Sequence, residues 1–280
     1  MRRASAEPAA WVVNRSTVGR ISLPRLSELL RLRELAIVLA MRDLQVRYKQ
    51  TFFGVAWAVL QPLAATGAFT LVFSAVAGLK SGTIPYAVFA LAGVVGWSYF
   101  NAAVMRCSTA LVLNEAMVTK VYFPRLLLCI GAVLPSLVDF AVGLSVLATL
   151  MVITGTPPGL GLVALPLLIV ALALFTLGTG CLLAAVNVTY RDVQHALPFL
   201  LQIAFFVTPV AYSSALAYNE VGWAYYLNPM AGLIDALRWS LVDAPPPPLQ
   251  ALLSLAVGAV LVAAGLLLFG RTERRFADVI

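Results

Sequence analysis

The chain has 280 residues, of which 61% are apolar and only 11% charged, and its mean hydropathy is +0.94. A soluble domain carries roughly 25% charged residues to wet its surface, so most of this surface faces something other than water. A net charge of +7 would raise nucleic-acid binding in a soluble protein, but here the placement of the basic residues outweighs their number.

In chain order, residues 1–23 form a basic tail without the apolar core of a signal peptide. Residues 24–49 then carry a helical pattern. Leu26, Leu30, Ile37, Met41 and Leu44 share one face, with Leu29 and Ala40 at its edge. Arg33 interrupts that stripe, and Leu35, Val38 and Leu39 fall outside it. A basic helix with an apolar face next to a membrane span reads as an interfacial helix. Its candidate interfacial residues are Arg33, Arg42, Asp43, Arg47 and Tyr48, and the arginines can snorkel or meet anionic headgroups. A cap helix packed on a partner protein is a compatible reading.

Six apolar runs follow, at 52–79, 84–105, 126–153, 160–188, 196–212 and 249–270. Crossing ~30 Å of hydrocarbon takes ~20 apolar residues; the fifth run is the shortest and holds Pro198 and Pro209. Continuous apolarity favours helices over the alternating strands of a barrel. Residues 1–51 hold ten Lys and Arg; Arg106, Lys120, Arg125, Arg191, Arg271, Arg274 and Arg275 fall on the same side, against Lys80 and Arg238 on the other. The positive-inside rule therefore predicts cytoplasmic termini, which an even number of spans satisfies. The expected fold is an all-α integral membrane domain over residues 1–280, with a six-span bundle at 52–270 and a second cytoplasmic tail at 271–280.

The outer loop 213–248 is long, with Tyr218, Trp223, Tyr225, Tyr226, Trp239 and four prolines at 245–248. It predicts an external helical hairpin in which 231–242 is amphipathic. Leu233, Ile234, Leu237 and Leu241 share a face there, and Asp235 pairs with Arg238 three residues on. Asp139 is the one carboxylate well inside a span, costing ~2.5–3.5 kcal/mol if unpaired, so it should face the bundle interior in a hydrogen-bonding role. Cys107, Cys129 and Cys181 are scattered through apolar runs without metal spacing and read as small buried hydrophobes. His195 stands alone, and no metal site is expected. A phosphate-binding loop needs glycines before a lysine, yet none of Lys49, Lys80 and Lys120 follows a glycine.

Five segments together resemble one family. Arg42-Asp43-Leu44-Gln45-Val46-Arg47-Tyr48-Lys49-Gln50-Thr51, running into Gly54, Trp57 and Leu60-Gln61-Pro62, resembles the entry to the first span of O-antigen and teichoic-acid exporter permeases, which are type-2 ABC transporter permeases. Asn114 with Lys120-Val121-Tyr122-Phe123-Pro124-Arg125 looks like their first cytoplasmic loop, and Asn187-Val188-Thr189-Tyr190-Arg191-Asp192-Val193 like their second. Pro209-Val210-Ala211-Tyr212 and Leu227-Asn228-Pro229 are similar to the fifth span and external loop. The likeness covers roughly residues 25–270.

The resemblance implies a homodimeric permease in the bacterial inner membrane that exports a polysaccharide, O-antigen, teichoic acid or galactan. This chain would carry no cofactor and no catalytic residues, because ATP and Mg belong to a separate ATP-binding subunit. Coupling to that subunit is expected at Asn114, Glu115, Lys120, Arg191 and Asp192. Sugar rings slide over flat aromatic faces, so Phe52, Trp57, Trp97, Tyr99, Phe100, Phe206 and Tyr212 are the expected channel lining. Two other readings stay open: a drug or small-lipid exporter of the same superfamily, and a membrane-embedded lipid or glycan transferase. The second would need clustered acids, bases or metal ligands.

Overall fold

The computed structural model of the chain describes residues 26–49, 54, 56–76, 78, 84–121, 123–273 and 276. Every regular element among them is helical. Helix α1 (Leu26–Arg31) breaks at Leu32 and continues as α2 (Arg33–Lys49). Helix α3 (Ala56–Phe69) loosens into a π-helical stretch, Thr70–Val76. Then come α4 (Tyr86–Leu113), the short α5 (Glu115–Lys120) and α6 (Leu126–Thr154). A 3₁₀ turn, Leu160–Ala164, leads into α7 (Leu165–Thr189), followed by α8 (Val193–Val207). The 213–248 segment folds as α9 (Ser214–Val221), a second 3₁₀ segment (Gly222–Leu227) and α10 (Pro229–Val242), and α11 (Ala251–Thr272) follows.

Helix α4 is the axis. Its most apolar window is 78% buried within the protein, against 22% for α6 and α11. It packs on α3, α6, α7, α8 and α10. A helix apolar on every side belongs inside a bundle, while its neighbours keep one face for lipid. Among the described residues five helices are long and apolar enough to cross a membrane, at Ala56–Phe73, Tyr86–Leu113, Leu126–Thr154, Gly161–Thr189 and Ala251–Thr272.

The fifth expected span is built differently. Helix α8 has 15 residues and reaches roughly 22 Å at 1.5 Å per residue. Beyond Val207 the chain continues without regular helix to Tyr212. Unpaired backbone is costly away from water, and here the carbonyls of residues 209–212 are all occupied. Arg238 donates to those of Pro209 (2.6 Å), Val210 (2.6 Å) and Tyr212 (3.3 Å), and the Tyr86 hydroxyl donates to that of Ala211 (2.6 Å).

Helix α10 departs from the amphipathic surface helix expected from its sequence. It is buried on nearly every side, and only Pro229, Ala236 and Trp239 are half-exposed. Asn228 caps it by accepting from the Met230 N–H at 3.1 Å, with Pro229 in the first turn, both favoured choices at a helix start. Asn228 also donates to the Thr208 hydroxyl (2.9 Å), and Ser254 of α11 donates to the carbonyls of Tyr226 and Asn228. The hairpin is thus fastened to α8 and α11 at one corner.

Three further expectations change. Helix α4 runs on to Leu113, so Arg106 lies inside a helix and not in a loop. Along α1 and α2 the anticipated stripe is the open one: Leu30 of α1 and Ile37 and Met41 of α2 are exposed, while Ala36, Leu39 and Ala40 are buried and α2 packs on α6. The helix has two apolar faces, one for protein and one for its surroundings. The segment after α11, expected as a tail, makes packing contacts: the Phe276 ring meets Phe269 edge-on at 5.3 Å, and Glu273 accepts from the Arg125 backbone N–H at 2.8 Å.

Helices α7 and α11 touch through glycines. A Cβ on Gly178 would stand 2.6 Å from Val262 Cα, and one on Gly265 would strike the Gly178 carbonyl. Overpacking typically costs about 1–3 kcal/mol, and here the obstacle is backbone, which cannot swing aside. Gly265→Val should therefore lower the melting temperature of the detergent-purified protein markedly. Gly67→Ala, where nothing lies within 4 Å of the new Cβ, should leave it unchanged.

Candidate functional site

Basic and polar side chains collect at one end of the bundle, in a groove of 580 Å³ between α2, α4 and α6. Arg42, Asp43, Arg47, Arg106, Thr109 and Asn114 form its polar lining. The helix order explains the gathering, because α2 packs along α6 while α4 ends there. Arg42 donates to its neighbour Asp43 at 3.1 Å and to the Asn114 side chain at 3.1 Å, linking α2 to the end of α4. Asn114 is itself fixed by donating to the Ala110 carbonyl at 2.8 Å.

At the inner end of the groove Asp139 of α6 is ion-paired with Arg47 of α2 and lies 3.8 Å from Arg106 of α4. The expected interior carboxylate therefore has two cationic partners, 92 residues before it and 33 before it in sequence. Behind this triad a smaller cavity of 80 Å³ continues inward, with Gln61, Ser98, Tyr99 and Ser136 among its lining residues. A polar path thus begins at the basic end and runs part-way into the bundle. Three arginines against two carboxylates leave the groove net positive, so an anionic headgroup or phosphate would be the natural guest.

The residues expected to couple to a partner lie on the same end. Glu115 and Lys120 are exposed on α5, and Arg191 and Asp192 are exposed between α7 and α8. Among the described residues neither Arg191 nor Asp192 forms an ion pair. The Asp192 carbonyl accepts from the backbone N–H groups of His195 and Ala196 at 3.0 Å, starting α8. Arg33 is exposed at the start of α2. The Tyr48 side chain and all of Phe52 lie outside the described residues.

The expected channel aromatics divide into two groups. Trp57 on α3 and Phe206 on α8 are exposed (45% and 65%), while Trp97, Tyr99 and Phe100 are buried within α4's packing. Trp97 meets Phe205 edge-on at 5.7 Å and Phe100 stacks on Phe175 at 5.3 Å, while Tyr99 packs on Phe140 at 5.4 Å. Tyr212 is half-buried and donates to the Phe206 carbonyl at 3.1 Å. The structure brings Trp57 and Phe206 to the surface and keeps the α4 trio in the core.

At the opposite end a 360 Å³ pocket opens between α9, α10 and the proline run, lined by Tyr218, Asn219, Tyr226, Asp235, Arg238 and the 245–248 prolines. Here the expected Asp235–Arg238 ion pair is replaced by separate partners. Asp235 accepts from the Tyr226 hydroxyl at 3.2 Å. Arg238 spends its donors on carbonyls, including that of Phe89 at 3.1 Å, and lies 3.6 Å over the Phe89 ring. Burial raises Asp235 above the usual carboxylate range. It also pulls the Arg238 guanidinium down to about 10, which leaves it charged at neutral pH. Sequence spacing suggested the i, i+3 pair, but could not show that the carbonyls of 209–212 compete for the guanidinium.

This is the architecture of a polytopic membrane protein whose polar groups sit at the two ends and along one inner path. The ABC-2 type transporter family matches residues 34–242, and the chain belongs to that family. Helix α11 lies beyond the matched region. Among individual proteins, the O-antigen export system permease protein RfbA of Myxococcus xanthus is 31% identical over 256 residues, covering 90% of this chain and 98% of the relative. Two proteins of the same name from Klebsiella pneumoniae are 25% and 24% identical over 249 residues, each covering 88% of this chain and 95% of the relative.

The Arg47–Asp139 contact is testable by a double-mutant cycle. Arg47→Gln and Asp139→Asn should each lower thermal stability, because each removes the ion pair between two half-buried side chains. The double variant should lose less than the sum, with a coupling of about 0.5–3 kcal/mol. Strict additivity would mean that the pair contributes nothing.

Proposed function

We propose that this chain is the membrane-spanning permease of an ATP-driven exporter that moves a long or lipid-linked polysaccharide from the cytoplasm to the outer face of the bacterial inner membrane. The observation that carries this reading is the end-to-end match to relatives named as O-antigen export permeases, 98% of the Myxococcus relative being covered. Among the polysaccharides consistent with the sequence, those names favour an O-antigen type over teichoic acid or galactan.

In this reading the basic end faces the cytoplasm, in keeping with the positive-inside rule, and both termini lie there. Six crossings follow if α8, prolonged by Thr208–Tyr212, counts as the fifth. The groove around Arg42, Arg47 and Arg106 suits the anionic anchor of a lipid-linked glycan, entering from the leaflet that the exposed Leu30 of α1 and Ile37 and Met41 of α2 would touch. ATP and Mg are bound by a separate subunit, which docks against α5 and the Arg191–Asp192 turn and so receives Glu115 and Lys120.

The glycan's path is formed by two copies. Helix α8 exposes Phe199, Leu200, Ile203, Phe206 and Val207 at helical spacing, and α3 exposes Trp57, Leu60 and Leu63. Those two uncovered faces fit a second copy around a shared conduit, with Trp57 and Phe206 offered to sugar rings.

A strain lacking this chain should retain its surface polysaccharide inside the cell, as read by fractionation and glycan staining, and wild-type chain should restore export. Full surface glycan in the deletion strain would overturn the reading. The double charge reversal Glu115→Lys with Lys120→Glu should sharply reduce co-purification of an ATP-binding subunit while leaving the permease's melting temperature unchanged.

A further inference from the structure

Three thiols meet inside the bundle. Cys107 of α4, Cys129 of α6 and Cys181 of α7 are fully buried, and their Sγ atoms all lie within 4.8 Å of one another. They are the chain's only cysteines. A buried side chain touches about 6–12 others, so three residues placed at random among the buried positions would converge in this way only a few times in about a hundred. The close approach has a local cause: a Cβ on Gly180 would stand 2.6 Å from Cys107 Cβ and 2.7 Å from its Sγ. Glycine next to Cys181 is what lets α7 come that near to α4.

The spacing suits coordination. Three sulfurs each about 2.3 Å from one metal ion sit ~4.0 Å apart in a planar arrangement, so the thiols need close by less than about 1 Å. Soft thiolate ligands select Cu(I) and Zn(II) over hard cations. We propose that Cys107, Cys129 and Cys181 form a three-sulfur site for a soft, thiophilic d¹⁰ cation of that class. A divalent ion binds with loss of three protons to solvent, because a metal-bound sulfur is a thiolate. The three-thiolate complex then carries one net negative charge. Cys129 lies three residues into α6 and Arg125 with its Glu273 partner just below it, so the site is near the basic end and the route from solvent is short. The bound ion joins the three helices at one level and resists their sliding past one another.

Reading the cysteines as small hydrophobes alone predicts no response to metal, so the two accounts separate cleanly. The reduced, full-length protein in detergent is titrated with Cd(II), a spectroscopic stand-in for Zn(II). The expected result is an ultraviolet thiolate-to-metal charge-transfer band saturating at one ion per chain, release of three protons per ion and a higher melting temperature. Cys107→Ser, Cys129→Ser and Cys181→Ser should each abolish the band. His195→Ala should keep it, His195 being the only histidine and exposed. Absence of a band in folded wild-type protein overturns the proposal, as does a band of equal strength in Cys181→Ser. If the serine variants do not fold, the wild-type titration and its His195→Ala control decide alone.

Discussion

The buried guanidinium of Arg238 is the constraint around which the half of the molecule opposite the basic end is arranged. Removing a charge from water costs several kcal/mol unless geometry and hydrogen bonds offset it, and here the offset is nearly complete. Arg238 is 2% exposed, donates to the carbonyls of Phe89, Pro209, Val210 and Tyr212, and lies against the Phe89 ring. Hydrogen bonds to charged groups contribute about 1.5–3 kcal/mol each. Lysine could not substitute, because its ammonium has three donors around a point while the guanidinium has five in a planar fork. Room for that fork comes from Gly93, where a Cβ would stand 2.5 Å from the guanidinium. One residue thereby joins α4, the end of α8 and α10, and makes a short fifth helix tolerable by satisfying the unwound backbone beyond it.

This also shows where sequence reasoning succeeds and where it stops. Apolar run length and continuity depend on local composition, so the long helices and the all-α fold were legible. Arg238 looked like an ordinary external-loop cation because counting charges by loop says nothing of burial. Asp139 was legible as an interior carboxylate in need of a partner, yet the partner, Arg47, is 92 residues away and no local pattern points to it. On α2, Leu35 and Leu39 looked like defects in a stripe because a helix with two apolar faces was read as having one. The three cysteines have no motif spacing, since their meeting is set by three helices packing together.

The aromatic residues carry the same lesson for the site. Phe175 stacks on Phe100, Phe100 meets Trp97, Trp97 meets Phe205, and Phe205 stacks on Phe69, at centroid distances of 5.3 to 5.7 Å. That ladder runs from α7 through α4 to α8 and α3. Such pairs add about 0.5–1.5 kcal/mol each beyond their burial, so these rings act as internal mortar. Composition alone could not separate them from rings such as Phe206 and Trp57, which the packing leaves facing outward.

Both polar ends of the molecule are mounted on α4. Arg106 stands beside Asp139 at the basic end, while Phe89 and Gly93 hold Arg238 at the other. The 13 residues between Gly93 and Arg106 place these anchors ~20 Å apart along one continuous helix. A close-packed interior transmits displacement instead of absorbing it, and α4 has packed neighbours on every side. A shift of α2 or α5 at the basic end therefore has a rigid element through which to reach the Arg238 cluster and the hairpin it secures. That connection between the two polar ends is supplied by the most deeply buried of the long apolar helices.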